Sequence, residues 1–203
     1  MEKELLSPKS DLIFKLIFGD NKNTDILADF LQAVLDLPES EYSHLEIVDP
    51  HLQPETPERK LGILDVKLHT NSGKVVNIEI QVADVSPMRE RIVFYTSKMI
   101  TEQIGKGDNY NAIKKVISIV ITDYRLIPEN EEYHNRYHLY DKNTGSKFTD
   151  ILEINVLELP KVPKETDNSQ LWNWLRFLKS EREEELSMLA EKNKKIEKAV
   201  GVL

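Results

Sequence analysis

The stretch that decides the fold is Leu61–Val82, LGILDVKLHTNSGKVVNIEIQV. In its first half Leu64, Val66 and Leu68 alternate with Asp65, Lys67 and His69; in its second half Val76, Ile78, Ile80 and Val82 alternate with Asn77, Glu79 and Gln81. Two runs of period two around a polar turn predict a β-hairpin with one apolar and one polar face. The three-residue loop Asn71-Ser72-Gly73 suits a type I turn with glycine in the left-handed position. That loop sets Thr70 opposite Lys74, and therefore Asp65 opposite Glu79. Asp65, Lys67, Glu79 and Gln81 then share a face, whereas a loop one residue shorter or longer would split the acids. Directly opposed residues stand about 4.5–5.5 Å apart at Cβ. Two carboxylates that close repel each other unless a cation lies between them. Oxygen ligands of this kind suit Mg²⁺ or Mn²⁺, and magnesium typically takes only one or two protein carboxylates.

Upstream, residues 9–19 read as a short helix, with Ser10 as cap and Leu12, Ile13, Leu16 and Ile17 as its apolar stripe. Asp11 and Lys15 lie four apart on one helix face, the spacing of a surface ion pair. A second helix runs from Asn23 or Thr24 to before Pro38. Leu45–Val48 is a short strand, and residues 50–60, with Pro50, Pro54 and Pro57, are a loop.

Downstream, residues 87–104 predict an amphipathic helix with Ser86 as cap and Met88, Ile92, Tyr95 and Met99 on its inner stripe. Arg91 and Tyr95 are four apart and can meet. They are either a solvated arginine beside a core tyrosine or a pair bordering the acids and contacting a phosphate. Val116–Ile121 is a continuous apolar run, as in a strand buried on both faces. Arg136–Tyr140 and Leu152–Val156 are further strands, and Pro160 and Pro163 mark a linker. Beyond it come a helix around Leu171, Trp172, Leu175 and Leu178 and a last helix opened by a capping box of Ser180 and Glu183. Acidic residues early and lysines late in that helix complement its dipole, as on a solvated face.

With 27 basic and 35 acidic residues the net charge is −8, and neither half of the chain is a basic module of the kind that binds DNA tightly and nonspecifically. There is no cysteine, which removes disulfides and thiolate zinc sites. No apolar run approaches the roughly 20 residues of a membrane helix, and the N-terminus lacks an apolar signal core, so a cytoplasmic protein without membrane association is expected. His134 and His138 in HNRYH lack the glutamate of a zinc-protease helix, and neither phosphate-cradling glycine motif is present.

Asp65, thirteen intervening residues and then Glu79-Ile80-Gln81 resemble the active-site hairpin of the PD-(D/E)XK nuclease superfamily. The chain is most similar to its transposase-like branch, the recombination-promoting nuclease/transposase family. KSDLIFKLIFGD at 9–20, the R-x-x-x-Y of Arg91 and Tyr95, and LEINVLEL at 152–159 carry the same resemblance, over about residues 8–160. It implies an α/β fold: a restriction-endonuclease-like core over residues 1–160, with a central mixed sheet flanked by helices, and a helical C-terminal extension over 161–203. The chain is shorter than the resemblance leads one to expect, which leaves room for truncation at its C-terminus.

The function implied is a metal-dependent DNA endonuclease that hydrolyses phosphodiester bonds in recombination or transposition. Asp65, Glu79 and the Ile80 carbonyl would hold Mg²⁺ or Mn²⁺; Asp11, Lys15, Arg91 and Tyr95 would support the site or contact phosphate. Gln81 stands where most of the superfamily has lysine. Glutamine is normal for this branch, but it carries no charge, so Lys67, Lys15 or Arg91 would supply the missing cation. DNA is the expected partner, and a homodimer is left open. The alternative is a catalytically silent DNA- or protein-binding domain that keeps the fold, which the acidic balance and Gln81 favour.

Overall fold

Gly73 adopts φ +83°, a conformation that glycine reaches without steric cost. Its N–H bonds to the Thr70 carbonyl at 2.8 Å, and the Thr70 N–H bonds to the Lys74 carbonyl at 3.0 Å. The turn therefore closes as its loop length dictates. In this computed structural model, which describes residues 6–52, 62–84 and 87–203, the chain begins with α1 (Asp11–Phe18) and α2 (Thr24–Val34). The strands β1 (Glu46–Val48), β2 (His51–Leu52), β3 (Gly62–Ile63), β4 (Val66–His69) and β5 (Val75–Gln81) follow, then α3 (Met88–Thr101). The rest comprises β6 (Val116–Thr122), β7 (His134–Tyr140), β8 (Lys147–Glu158), α4 (Gln170–Lys179), α5 (Glu183–Lys192) and α6 (Lys194–Val200). Ser86, Pro54 and Pro57 lie outside the described residues.

Among the described residues, six strands form one mixed sheet in the order β1-β4-β5-β6-β8-β7, and β2 and β3 pair separately. β4 and β5 pair antiparallel with Val66 opposite Ile78 and Leu68 opposite Val76. The expected register thus holds, and its continuation sets Asp65 against Glu79. β5, β6 and β8 run parallel, and β7 returns antiparallel along β8. Every residue of β6 is buried, in keeping with its uninterrupted apolar sequence.

The sheet has two covered faces. Val76, Ile78, Ile80, Ile117, Ile119 and Ile121 pack with α1, α2 and α4–α6 in the main core. Val75, Val116 and Val120 face the other way, toward Met88, Ile92 and Met99 of α3. The helices after residue 160 are built into the main core: Trp174 is fully buried, 5.8 Å in ring centroids from both Phe18 and Phe30, and its indole N–H bonds to Asp29 Oδ2 at 2.8 Å. No helix among the described residues is long and apolar enough to cross a membrane.

Five local expectations change. In α1 the buried face is Ile13, Phe14, Ile17 and Phe18, while Leu12 and Leu16 are exposed; the phenylalanines bring more area to the core than the leucines they displace. The strand expected at Leu152–Val156 extends over twelve residues, and Pro160 lies in a 3₁₀ turn, Leu159–Lys161. Ser180 does not cap α5, whose N-cap is Arg182; its hydroxyl bonds to Glu185 at 3.1 Å instead. The last helix is two, broken at Asn193, whose side chain accepts the N–H groups of Lys195 and Ile196 and starts α6.

Candidate active site

The site forms where the hairpin stops. A regular ladder would follow Val66↔Ile78 with Leu64 opposite Ile80. Instead the Leu64 N–H donates to the Pro50 carbonyl at 3.1 Å, and the Ile80 N–H donates to Asp65 Oδ2 at 2.9 Å. A carboxylate takes the place of main chain at the end of β4. The N–H and C=O of one residue in a strand point to the same side, so the Ile80 carbonyl is directed toward Asp65, and its ladder donor has turned elsewhere.

Glu79 is 3% exposed, and its Oε1 is buried with no hydrogen-bond partner. Burial pushes its pKa up to about 7; the Asp65 charge adds to the rise, while Arg91 and a hydrogen bond from Asn77 oppose it. The Asp65 pKa is also raised, by burial first, against the pull of the Ile80 N–H and Lys15. A buried and a half-buried acid, both held above their ordinary range, are the electrostatic mark of a place built for a positive ligand.

The Lys15 ammonium lies 3.3 Å from Asp65 Oδ1 and 2.8 Å from Asp11 Oδ1. Burial works against the Lys15 charge, but the two acids outweigh it and its pKa is raised. Asp11 is largely exposed and meets the site through Lys15. The Arg91 guanidinium carbon stands 5.5 Å from the Tyr95 ring centroid, so the two touch as a cation–π pair; its Nε is buried without a partner. Gln81 ends β5, half-buried, on the same side of the strand as Glu79. Lys67 is on that face too, but its ammonium lies 3.5 Å from Glu102 at the end of α3. The structure thus brings Lys15, rather than Lys67, against Asp65. Both lysines line a cleft of about 240 Å³ beside Asp65.

His69 lies 3.9 Å from Glu46, and His134 bonds to the Asn155 side chain at 2.9 Å; neither contacts the two acids. Sequence reasoning missed Lys9, whose ammonium bonds to Asp123 at 2.8 Å and Glu181 at 3.0 Å. Asp123 in turn donates its N–H to the Gln81 carbonyl at 3.0 Å. Lys9 opens the KSDLIFKLIFGD segment, so a signal was present, but its spacing says nothing about β6.

The residues present fit a hard divalent cation. Among the described residues no group of three or more His, Cys, Asp and Glu side chains is placed to share an ion. Two carboxylates, one with a buried unpaired oxygen, and a released carbonyl are a donor set that magnesium accepts, with water and phosphate completing its shell.

A mixed sheet flanked by helices, with acids at the open end of its antiparallel hairpin, defines a restriction-endonuclease-like domain. The chain belongs to the PD-(D/E)XK nuclease family transposases, whose family model matches residues 8–203. No curated protein and no solved structure matches it. The family is nuclease- and transposase-related, its implied substrate is DNA, and PD-(D/E)XK nucleases generally use divalent metals. The match runs beyond residue 160, through α4–α6.

Proposed function

We propose that the protein is a Mg²⁺- or Mn²⁺-dependent DNA endonuclease acting in recombination or transposition. The observation that carries this reading is the buried, partnerless Oε1 of Glu79 beside Asp65 and the released Ile80 carbonyl. Leaving a buried acceptor unmet costs about 1–3 kcal/mol, a cost relieved when a cation is held there by Asp65, Glu79 and Ile80. Such an ion supplies a Lewis acid for the scissile phosphate and a bound water of lowered pKa.

The protein's own groups do the rest. Lys15 favours the charged form of Asp65 against its burial and provides the positive charge that Gln81 lacks. Gln81 donates a hydrogen bond that orients the attacking water. Arg91, braced on the Tyr95 ring, holds a phosphate oxygen. The second reading, a silent binding domain, is favoured by the net charge of −8 and by Gln81. Supercoiled plasmid incubated with Mg²⁺, Mn²⁺ or EDTA separates the two. Nicking that needs the metal and disappears in Asp65→Ala is expected; nicking that survives Asp65→Ala would overturn the endonuclease reading.

A further inference from the structure

Glu79 Oε1 and Arg91 Nε are not alone in lacking partners. The hydroxyl of Tyr124, in the loop after β6, is buried and unpartnered as well. Tyr124 packs against the cluster that holds Met88 and Ile92 of α3, which flank Arg91 in sequence. Its main chain is fixed there: the Thr122 hydroxyl donates to the Tyr124 carbonyl at 2.8 Å. Arg91 lies close enough to act electrostatically on both Glu79 and Tyr124, and Asp84, just past β5, also acts on Tyr124. These three atoms, with the unpaired Oδ1 of Asn77 next to Glu79, therefore belong to one neighbourhood, toward the carboxyl ends of β5 and β6.

Their chemistry is complementary. The Arg91 Nε–H and the Tyr124 O–H are donors without an acceptor. Glu79 Oε1 is an acceptor without a donor or cation. A cation at Glu79 answers the last; an anionic oxygen that binds the same cation answers the first two. Buried polar groups in folded proteins are rarely left unmet, and three together in one place call for a ligand carrying both charges.

We infer that Tyr124 is a substrate-contacting residue whose hydroxyl, with the Arg91 guanidinium, grips a non-bridging phosphate oxygen of the nucleic-acid strand beside the metal-binding acids. The inference rests on the nuclease reading for the identity of the anion. The residue lies in a loop that no spacing in the chain connects to Asp65 or Glu79, and its role is to hold the phosphate, not to transfer a proton.

Tyr124→Phe keeps the ring and removes only the hydroxyl. The test uses the full chain and a fluorescent duplex oligonucleotide: binding is read in Ca²⁺, cleavage in Mg²⁺ and thermal unfolding in EDTA. Loss of one donor to a charged oxygen predicts binding and kcat/KM lower by about tenfold. Unfolding should shift upward or stay unchanged, because an unmet buried hydroxyl is gone. On a duplex with a neutral methylphosphonate at the scissile position, wild type and Tyr124→Phe should bind alike. Equal binding of the two to the ordinary duplex overturns the contact, whether or not wild type cuts. A tenfold deficit with an unfolding temperature lowered by several degrees also overturns it, because the hydroxyl is then structural. Binding by wild type without cleavage sinks the nuclease reading but, if Tyr124→Phe binds more weakly, supports the contact. No binding by wild type overturns both.

Discussion

The β4–β5 hairpin has a buried glutamate at each end, Glu41 against its turn and Glu79 at its opening, with 8% and 3% of their surfaces exposed. Glu41, from the 3₁₀ turn Glu39–Tyr42, accepts the Thr70 hydroxyl at 2.6 Å, the Ser72 hydroxyl at 2.9 Å and the Lys74 ammonium at 2.5 Å. Burial alone would push its pKa up, but these donors outweigh it and bring it down to about 2. Glu79 is also closed off from solvent, but it lies deeper among protein atoms, has one oxygen unmet, and rises to about 7. What separates a carboxylate that fastens the fold from one that awaits a ligand is burial together with the supply of donors.

The comparison yields predictions in descending order of effect. Glu79→Gln should lower Mg²⁺-dependent cleavage by about a thousandfold, while Glu41→Gln leaves the specific activity of the folded fraction near wild type. A plasmid-nicking time course on both variants checks this, and equal losses would erase the distinction. In unfolding experiments the order reverses. Glu41→Gln should destabilise by about 2 kcal/mol, because Lys74 and the hydroxyl donors lose a charged acceptor. Glu79→Gln should stabilise the protein in EDTA at pH 8 by about 1–2 kcal/mol, since it removes the cost of ionising a buried acid. Urea midpoints read both.

The two ends should also part with pH. Glu41 is depressed on folding, so its contribution is present above its unfolded value of 4.5 and is lost as pH falls toward about 2. Glu79 is raised on folding, so the folded state binds the extra proton and stability declines as pH climbs from 4.5 through about 7. Melting temperature in EDTA against pH should rise on the acid limb and fall on the neutral limb. Glu41→Gln flattens the first and Glu79→Gln the second. The smallest effect belongs to the turn. A Cβ at Gly73 meets no atom closer than 3.9 Å, so Gly73→Ala costs only the strain of a positive φ, about 1 kcal/mol, in a urea titration.

The hairpin and its register were legible because alternation and a three-residue loop with glycine each fix the pairing, and they agree. β6 was legible from its apolar run. The α1 face was not: six apolar residues in eight contain two overlapping stripes, and only packing against Phe30 and Trp174 selects the phenylalanine one. The nearness of Asp65 and Glu79 could be counted from the turn. That Asp65 would cap the Ile80 N–H could not, because it depends on Leu64 leaving the ladder for Pro50. Glu41 was passed over because its partners lie about thirty positions later, and Tyr124 because it follows a strand whose sequence speaks only of burial. Lys67 shows the limit of face-sharing as an argument: it is on the expected side, yet its ammonium lies near Glu102.

Trp174 carries one last consequence. Its ring fills the space between the first two helices of the chain, and Asp29 holds both its indole and the Asn193 amide. A protein clipped after Pro163 would lose a wall of its interior and show a bare aromatic surface to solvent. Engineers who wish to trim this scaffold should leave α4–α6 in place.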